Sequence, residues 1–129
     1  MDQRLVSGWK EIDEDHERIL DLIDRFQHLQ VGERAEAAEF LFKYVVEHCE
    51  REESYMVRLG YPMLTVHQYA HRWLHDLVVG EFPVLLREES ILQIGKVIRD
   101  VFRTHILTLD AEFIEWAKAN FDEEAFKLQ

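Results

Sequence analysis

Residues 48–71 read HCEREESYMVRLGYPMLTVHQYAH, and this stretch decides the fold. His48 and Glu52 stand four residues apart, as do His67 and His71, with Gly60, Tyr61 and Pro62 between the pairs. At about 100° per residue, a spacing of four returns a side chain to nearly the same face of a helix. Each half therefore presents two donor side chains to one point. A reversal at Gly60 to Pro62 would aim both pairs into a shared interior.

Working outward, the second half of the preceding segment continues the same stripe: Ala38, Leu41, Val45, His48, Glu52, Tyr55 and Leu59 recur at helical spacing, predicting a helix over about 34–59. Gly60 suits a helix C-terminal stop, and Pro62 suits the first turn of the next helix, over about 62–86. Its stripe is Leu64, His67, His71, Leu74 and Val78, with Gly80 and Pro83 expected to kink or end it. Upstream, Ile12, Ile19, Leu20, Ile23 and Phe26 predict a helix over about 12–31 after an irregular arm, 1–11, that carries Trp9. Downstream of the polar link Arg87 to Ser90, a fourth helix over about 90–120 turns Ile94, Ile98, Val101, His105, Leu109 and Phe113 or Trp116 inward. The tail from Phe121 is expected to pack as a short turn or fray. Four amphipathic segments with short links make an all-α, up-down-up-down four-helix bundle in a single domain.

Composition agrees and excludes other classes. A chain of 129 residues, 47% hydrophobic and 32% charged, with five glycines and two prolines, suits one compact helical domain. A net charge of −11 repels phosphate backbones and anionic lipid surfaces, so neither nucleic acid nor a membrane is an expected partner. The lone Cys49 excludes an internal disulfide, and the first residues lack the apolar core of a secretory signal, so a cytoplasmic location is expected.

All four predicted helices carry imidazole or carboxylate on the apolar stripe: His16, then His48 and Glu52, then His67 and His71, then His105. One such residue alone is most simply a core histidine satisfied by a backbone carbonyl, or a carboxylate paired with arginine. A buried ionised carboxylate is costly unless paired or metal-bound, and a metal answers all these burials together. Asp110 lies five residues after His105, about 140° round an α-helix, so spacing leaves it ambiguous between the site and the boundary. Nitrogen and oxygen donors without thiolate suit iron, manganese, zinc or copper.

These residues resemble the hemerythrins, in particular the single-domain bacterial ones. Their pattern is one histidine on the first helix, H-x-x-x-E on the second, H-x-x-x-H on the third and H-x-x-x-x-D on the fourth. Here His16 stands within GWKEIDEDH, His48 and Glu52 within HCEREE, His67 and His71 follow Tyr61-Pro62, and HILTLD supplies His105 and Asp110. The resemblance implies two iron ions with a bridging oxo or hydroxo group. His67, His71 and His105 would hold one iron and His16 and His48 the other, with Glu52 and Asp110 bridging. Of twelve octahedral positions, five imidazoles, four carboxylate oxygens and the shared bridge fill eleven. The open position falls on the iron that His16 and His48 would hold; dioxygen binds there in the hemerythrins, so the resemblance implies reversible dioxygen binding as a carrier, store or buffer, without substrate turnover.

Such binding needs a dry apolar pocket. Ile19 matches a pocket position of the family. Cys49 stands in place of the usual aromatic, Leu74 where Phe is common, and Val101 with Phe102 replaces a frequent Trp-Leu pair. Cys49 reads as a small core residue, because Glu47, Glu50 and Glu52 would raise a thiol pKa. His75 reads as a boundary residue, His28 as solvent-facing, and Trp9, Trp73 and Trp116 as packing residues. The competing functions are a diiron enzyme acting on peroxide or nitric oxide, and an oxygen or redox sensor working through a separate protein partner.

Overall fold

The computed structural model describes residues 7–26, 28–85 and 91–121. Residues 1–6 of the expected arm, the link Arg87 to Ser90, the Ile94 side chain and the tail beyond Phe121 lie outside them. The described elements are helices α1 (Lys10–Phe26), α2 (Val31–Leu59), α3 (Leu64–Leu85) and α4 (Ile91–His105), a π-helical turn (Ile106–Asp110) and α5 (Ala111–Asn120). Helix α1 packs against α2 and α4, and α3 packs against the same two, giving the up-down-up-down bundle. No helix among the described residues is long and apolar enough to cross a membrane.

The ends of these helices follow local chemistry, and it moves several expected boundaries. The Asp13 carboxylate accepts hydrogen bonds from the Ser7 amide and hydroxyl and from the Gly8 amide, so the arm is tied down and α1 already begins at Lys10. Helix α1 stops at Phe26, short of residue 31. The Glu33 carboxylate accepts the Gln30 N–H at 3.1 Å, half of a capping box, and α2 therefore begins at Val31 with Gly32 inside it. Gly60 ends α2 as expected, in the left-handed conformation with φ +73°, while the Tyr61 N–H bonds to the Met56 carbonyl at 2.9 Å. Pro62 lies in the turn before α3 and not within its first turn. The buried Tyr61 ring, 4.9 Å from Phe113 and 5.1 Å from Trp116 between centroids, pins that connection to the core. Gly80 and Pro83 do not end α3, which stays helical to Leu85.

The largest departure is in the fourth segment. The Ala111 N–H bonds to the carbonyl of Ile106, five residues back, and the turn is widened by one residue. A continuous α-helix would turn Leu109 inward. The wide turn instead leaves Leu109 half-buried and brings Asp110 to complete burial.

Two apolar clusters fill the bundle. One gathers Ile19, Leu20, Ile23, Phe26, Leu41, Val45, Leu74, Ile98 and Phe102. The other gathers Trp9, Ile12, Tyr55, Met56, Tyr61, Phe113 and Ile114. Burial of each large side chain contributes about 1.5–3 kcal/mol, so these two layers carry most of the driving force for folding. Every histidine and carboxylate singled out as a ligand falls, along its helix, between a residue of one cluster and a residue of the other. The polar layer is thereby sandwiched in apolar packing. Trp9 and Trp116 pack in this core as expected, but Trp73 does not: it is 58% exposed on α3.

Candidate metal centre

His16, His48, Glu52, His67, His71, His105 and Asp110 are all buried and converge on one volume. They form two groups: Glu52, His67, His71, His105 and Asp110, and His16, His48, Glu52 and Asp110, with the donor atoms of each group within 4.8 Å of one another. All five imidazoles point Nε2 inward. The i,i+4 spacing on α2 and on α3 supplies four of these side chains from two straight stripes. His16 and His105 come from α1 and α4, and the π turn delivers Asp110.

Both shared residues are carboxylates, and each faces one group with one oxygen and the other group with the second. Glu52 Oε1 lies 2.8 Å from His67 Nε2 and 3.0 Å from His71 Nε2, whereas Oε2 lies 3.3 Å from His48 Nε2 and 3.7 Å from His16 Nε2. Asp110 Oδ1 is 2.8 Å from His67 Nε2 and 2.9 Å from His105 Nε2, while Oδ2 is 2.9 Å from His16 Nε2. Five of these atoms, namely His16 Nε2, His48 Nε2, His105 Nε2, Glu52 Oε2 and Asp110 Oδ2, are buried and have no hydrogen bond of acceptable geometry. Buried polar atoms are rarely left so, because each costs about 1–3 kcal/mol. Nitrogen and oxygen donors converging on one buried volume without well-formed hydrogen bonds between them are what a cation site requires, and this donor set fits a divalent transition metal.

The electrostatics point the same way. Burial alone would lower the His16 pKa, but Asp110 and Glu52 outweigh it and push it up to about 10. His71 is likewise raised, against burial, through its bonds to Glu52 and Glu53. Against burial, His48 is raised by Glu52 and Asp15, and His67 by Asp110 and Glu52. Burial would raise Glu52 and Asp110, yet the surrounding imidazoles hold both below the usual carboxylate range. Without metal, protons on the imidazoles balance the two carboxylates. A cation performs that balancing instead, and its binding must release those protons.

A second layer escaped the sequence reading. His48 Nδ1 bonds to Asp15 Oδ2 at 3.0 Å, and Asp15 is gripped by Arg51 through two bonds of 2.9 and 2.7 Å and by the Tyr44 hydroxyl at 3.3 Å. His71 Nδ1 bonds to Glu53 Oε2 at 2.7 Å. These partners fix the ring tautomer so that Nε2 keeps its lone pair for the centre. The signal was present: Tyr44, His48 and Arg51 share one side of α2, while Asp15 and Glu53 each adjoin an expected ligand.

Ile19, Cys49, Leu74 and Phe102 meet in the same buried cluster. The Phe102 ring faces three imidazoles, with centroids 6.4 Å from His16, 6.3 Å from His48 and 6.4 Å from His105. Val101 is half-buried, packs against this cluster, and lines an apolar groove of about 360 Å³ with Ala70, Trp73, Leu74, His105 and Leu109. Burial pushes the Cys49 thiol up, so it keeps its proton. His75 lies outside the centre, exposed beside Asp76, and His28 is exposed beyond α1.

Compared with known proteins, residues 7–117 match the hemerythrin HHE cation-binding domain, nearly the whole described chain. The chain belongs to the hemerythrin family. Comparisons with curated proteins and with solved structures give no match. Family membership and the buried histidine–carboxylate cluster together make this hemerythrin-family chain a cation-binding protein, with the centre between its two apolar layers.

Proposed function

We propose that this chain binds dioxygen reversibly at a pair of iron ions, as a carrier, store or buffer, and does not turn over a substrate. The observation that carries the reading is the division of each carboxylate: one oxygen of Glu52 and of Asp110 faces the three-histidine group, the other faces the two-histidine group. On this reading His67, His71 and His105 would hold one iron and His16 and His48 the other, with Glu52 and Asp110 each offering one oxygen to either ion and an oxo or hydroxo group completing the pair. When bound, the iron pair supplies two electrons to dioxygen, one from each ion, and recovers them on release.

The chain's own residues do the rest. With one imidazole fewer, the His16–His48 position is the less crowded, and so the one at which a small ligand is admitted. Phe102 and Ile19, both fully buried, and Leu74 give that region an apolar wall that keeps water away. Reversibility depends on that exclusion, because water and delivered protons favour loss of the reduced ligand over its return as dioxygen. Five imidazoles to two carboxylates also distinguish the site from carboxylate-rich diiron enzymes, whose Glu-x-x-His pairs are absent from these stripes.

The test is spectroscopic. Protein loaded with ferrous iron under anaerobic conditions should colour on exposure to air and bleach on deoxygenation, over repeated cycles. A purified protein that takes up fewer than two irons, or colours once without bleaching, overturns the proposal.

A further inference from the structure

Each of the two donor groups contains one imidazole tied by its outer nitrogen to a carboxylate, and the two carboxylates are not equivalent. Glu53, bonded to His71, is partly exposed and makes no ion pair with Lys or Arg among the described residues. Asp15, bonded to His48, is 7% exposed, and a bidentate guanidinium draws on its charge. At the two-histidine position His16 offers no alternative handle, since its Nδ1 is buried without a partner.

A carboxylate accepting the outer N–H of a ligating imidazole pushes electron density onto the inner nitrogen, making it a stronger donor. A guanidinium holding both carboxylate oxygens competes for that charge. Glu53, whose other side-chain partner is the neutral amide of Gln68, therefore strengthens His71 more fully, while the charged Arg51 restrains what Asp15 passes to His48. We propose that Asp15 and Glu53 are positioning residues, one for each metal position, and that the Asp15–Arg51 pair makes the two-histidine position the weaker and more labile of the two. The asymmetry then comes from the outer layer as well as from the count of histidines. A weaker donor at the open position would leave that metal more electron-poor, so that a ligand held there by accepting the metal's electrons would be easier to lose. This rests on the two-metal reading above.

The test uses cobalt(II) titrated into the metal-free protein, followed by visible absorption and by the hyperfine-shifted, exchangeable imidazole N–H resonances. Wild type should take up two equivalents in two steps, the His71 N–H resonance appearing in the first and the His48 N–H resonance in the second. Asp15→Asn, which keeps an acceptor but removes the charge, should weaken the second step by about 10–100-fold and move only the His48 resonance. Glu53→Gln should weaken the first step by a similar factor and move only the His71 resonance. Arg51→Gln should tighten the second step severalfold.

If either carboxylate variant weakens both steps alike, or if Arg51→Gln weakens the second step as Asp15→Asn does, the inference is overturned although two metals still bind. Uptake of fewer than two equivalents by wild type refutes the two-metal reading itself. Arg51 and Glu53 reach the surface, with side chains 42% and 26% exposed, so those two variants decide the matter even if Asp15→Asn impairs folding.

Discussion

Truncating Phe102 to alanine separates packing from chemistry at this centre. The side chain is 1% exposed and its ring faces His16, His48 and His105 at 6.3–6.4 Å. Removing a buried aromatic ring costs about 3–5 kcal/mol, the transfer and cavity terms together. For a domain of this size that lowers the melting temperature of the metal-free protein on the order of 10–20 °C without abolishing folding. The void is bordered by three imidazoles, each with a buried, unbonded Nε2 atom, so it is polar enough to admit water where an all-apolar void would stay dry. One water hydrogen bond to the reduced ligand is worth about 1–1.5 kcal/mol, which converts to roughly tenfold faster irreversible oxidation of the iron-loaded protein. Phe102→Leu, which stays apolar and refills much of the space, should keep oxidation near the wild-type rate. The assay is urea or thermal unfolding of metal-free protein beside the decay of the oxygenated absorption at fixed pH. Should Phe102→Ala lose the expected stability yet oxidise no faster than Phe102→Leu, water exclusion by this ring is not what protects the site.

Three further outcomes follow from the geometry. Glu52→Ala removes the carboxylate that gives each donor group one of its oxygens, so zinc uptake measured by titration should fall from two equivalents to at most one. Metal-free protein should be most stable between about pH 4.5 and 6.5: lowered carboxylate pKa values in Glu52 and Asp110 give stability that is present above about pH 4 and lost as pH falls. The raised histidine pKa values give stability that is complete below about pH 6.5 and lost as pH rises through about 10 for His16, and thermal melts across pH should trace that dome, its alkaline side disappearing once zinc replaces the protons. Gly60→Ala places a Cβ at φ +73° where no neighbour stands within 4 Å, so the cost is backbone strain alone, about 1–2 kcal/mol, read as a shift of the urea midpoint with metal stoichiometry unchanged.

The straight stripes were legible from the sequence because α-helical periodicity needs no partner to be read. Ile12, Ile19 and Ile23, then Ala38, Leu41 and Val45, then Leu74 and Val78 are buried where the spacing put them. His48 with Glu52 and His67 with His71 could be paired for the same reason. Helix ends were less legible: the capping contact of Glu33 with Gln30 and the tie from Asp13 to Ser7 are made by side chains whose bonding the spacing does not reveal.

The sequence by itself determined the class of fold, the two i,i+4 donor pairs and the chemical type of the site, since these follow from local periodicity and donor identity. Only the tertiary structure decided the place of Asp110, because a five-residue offset points away from His105 on an α-helix and returns to it on a π turn. It also decided which carboxylates stand behind the histidines. Asp15 lies 33 residues from His48 and Glu53 lies 18 from His71, distances that only the packing of α1 and α3 on α2 closes. A contact between helices depends on how they are rotated and offset against each other, and no single stripe carries that information.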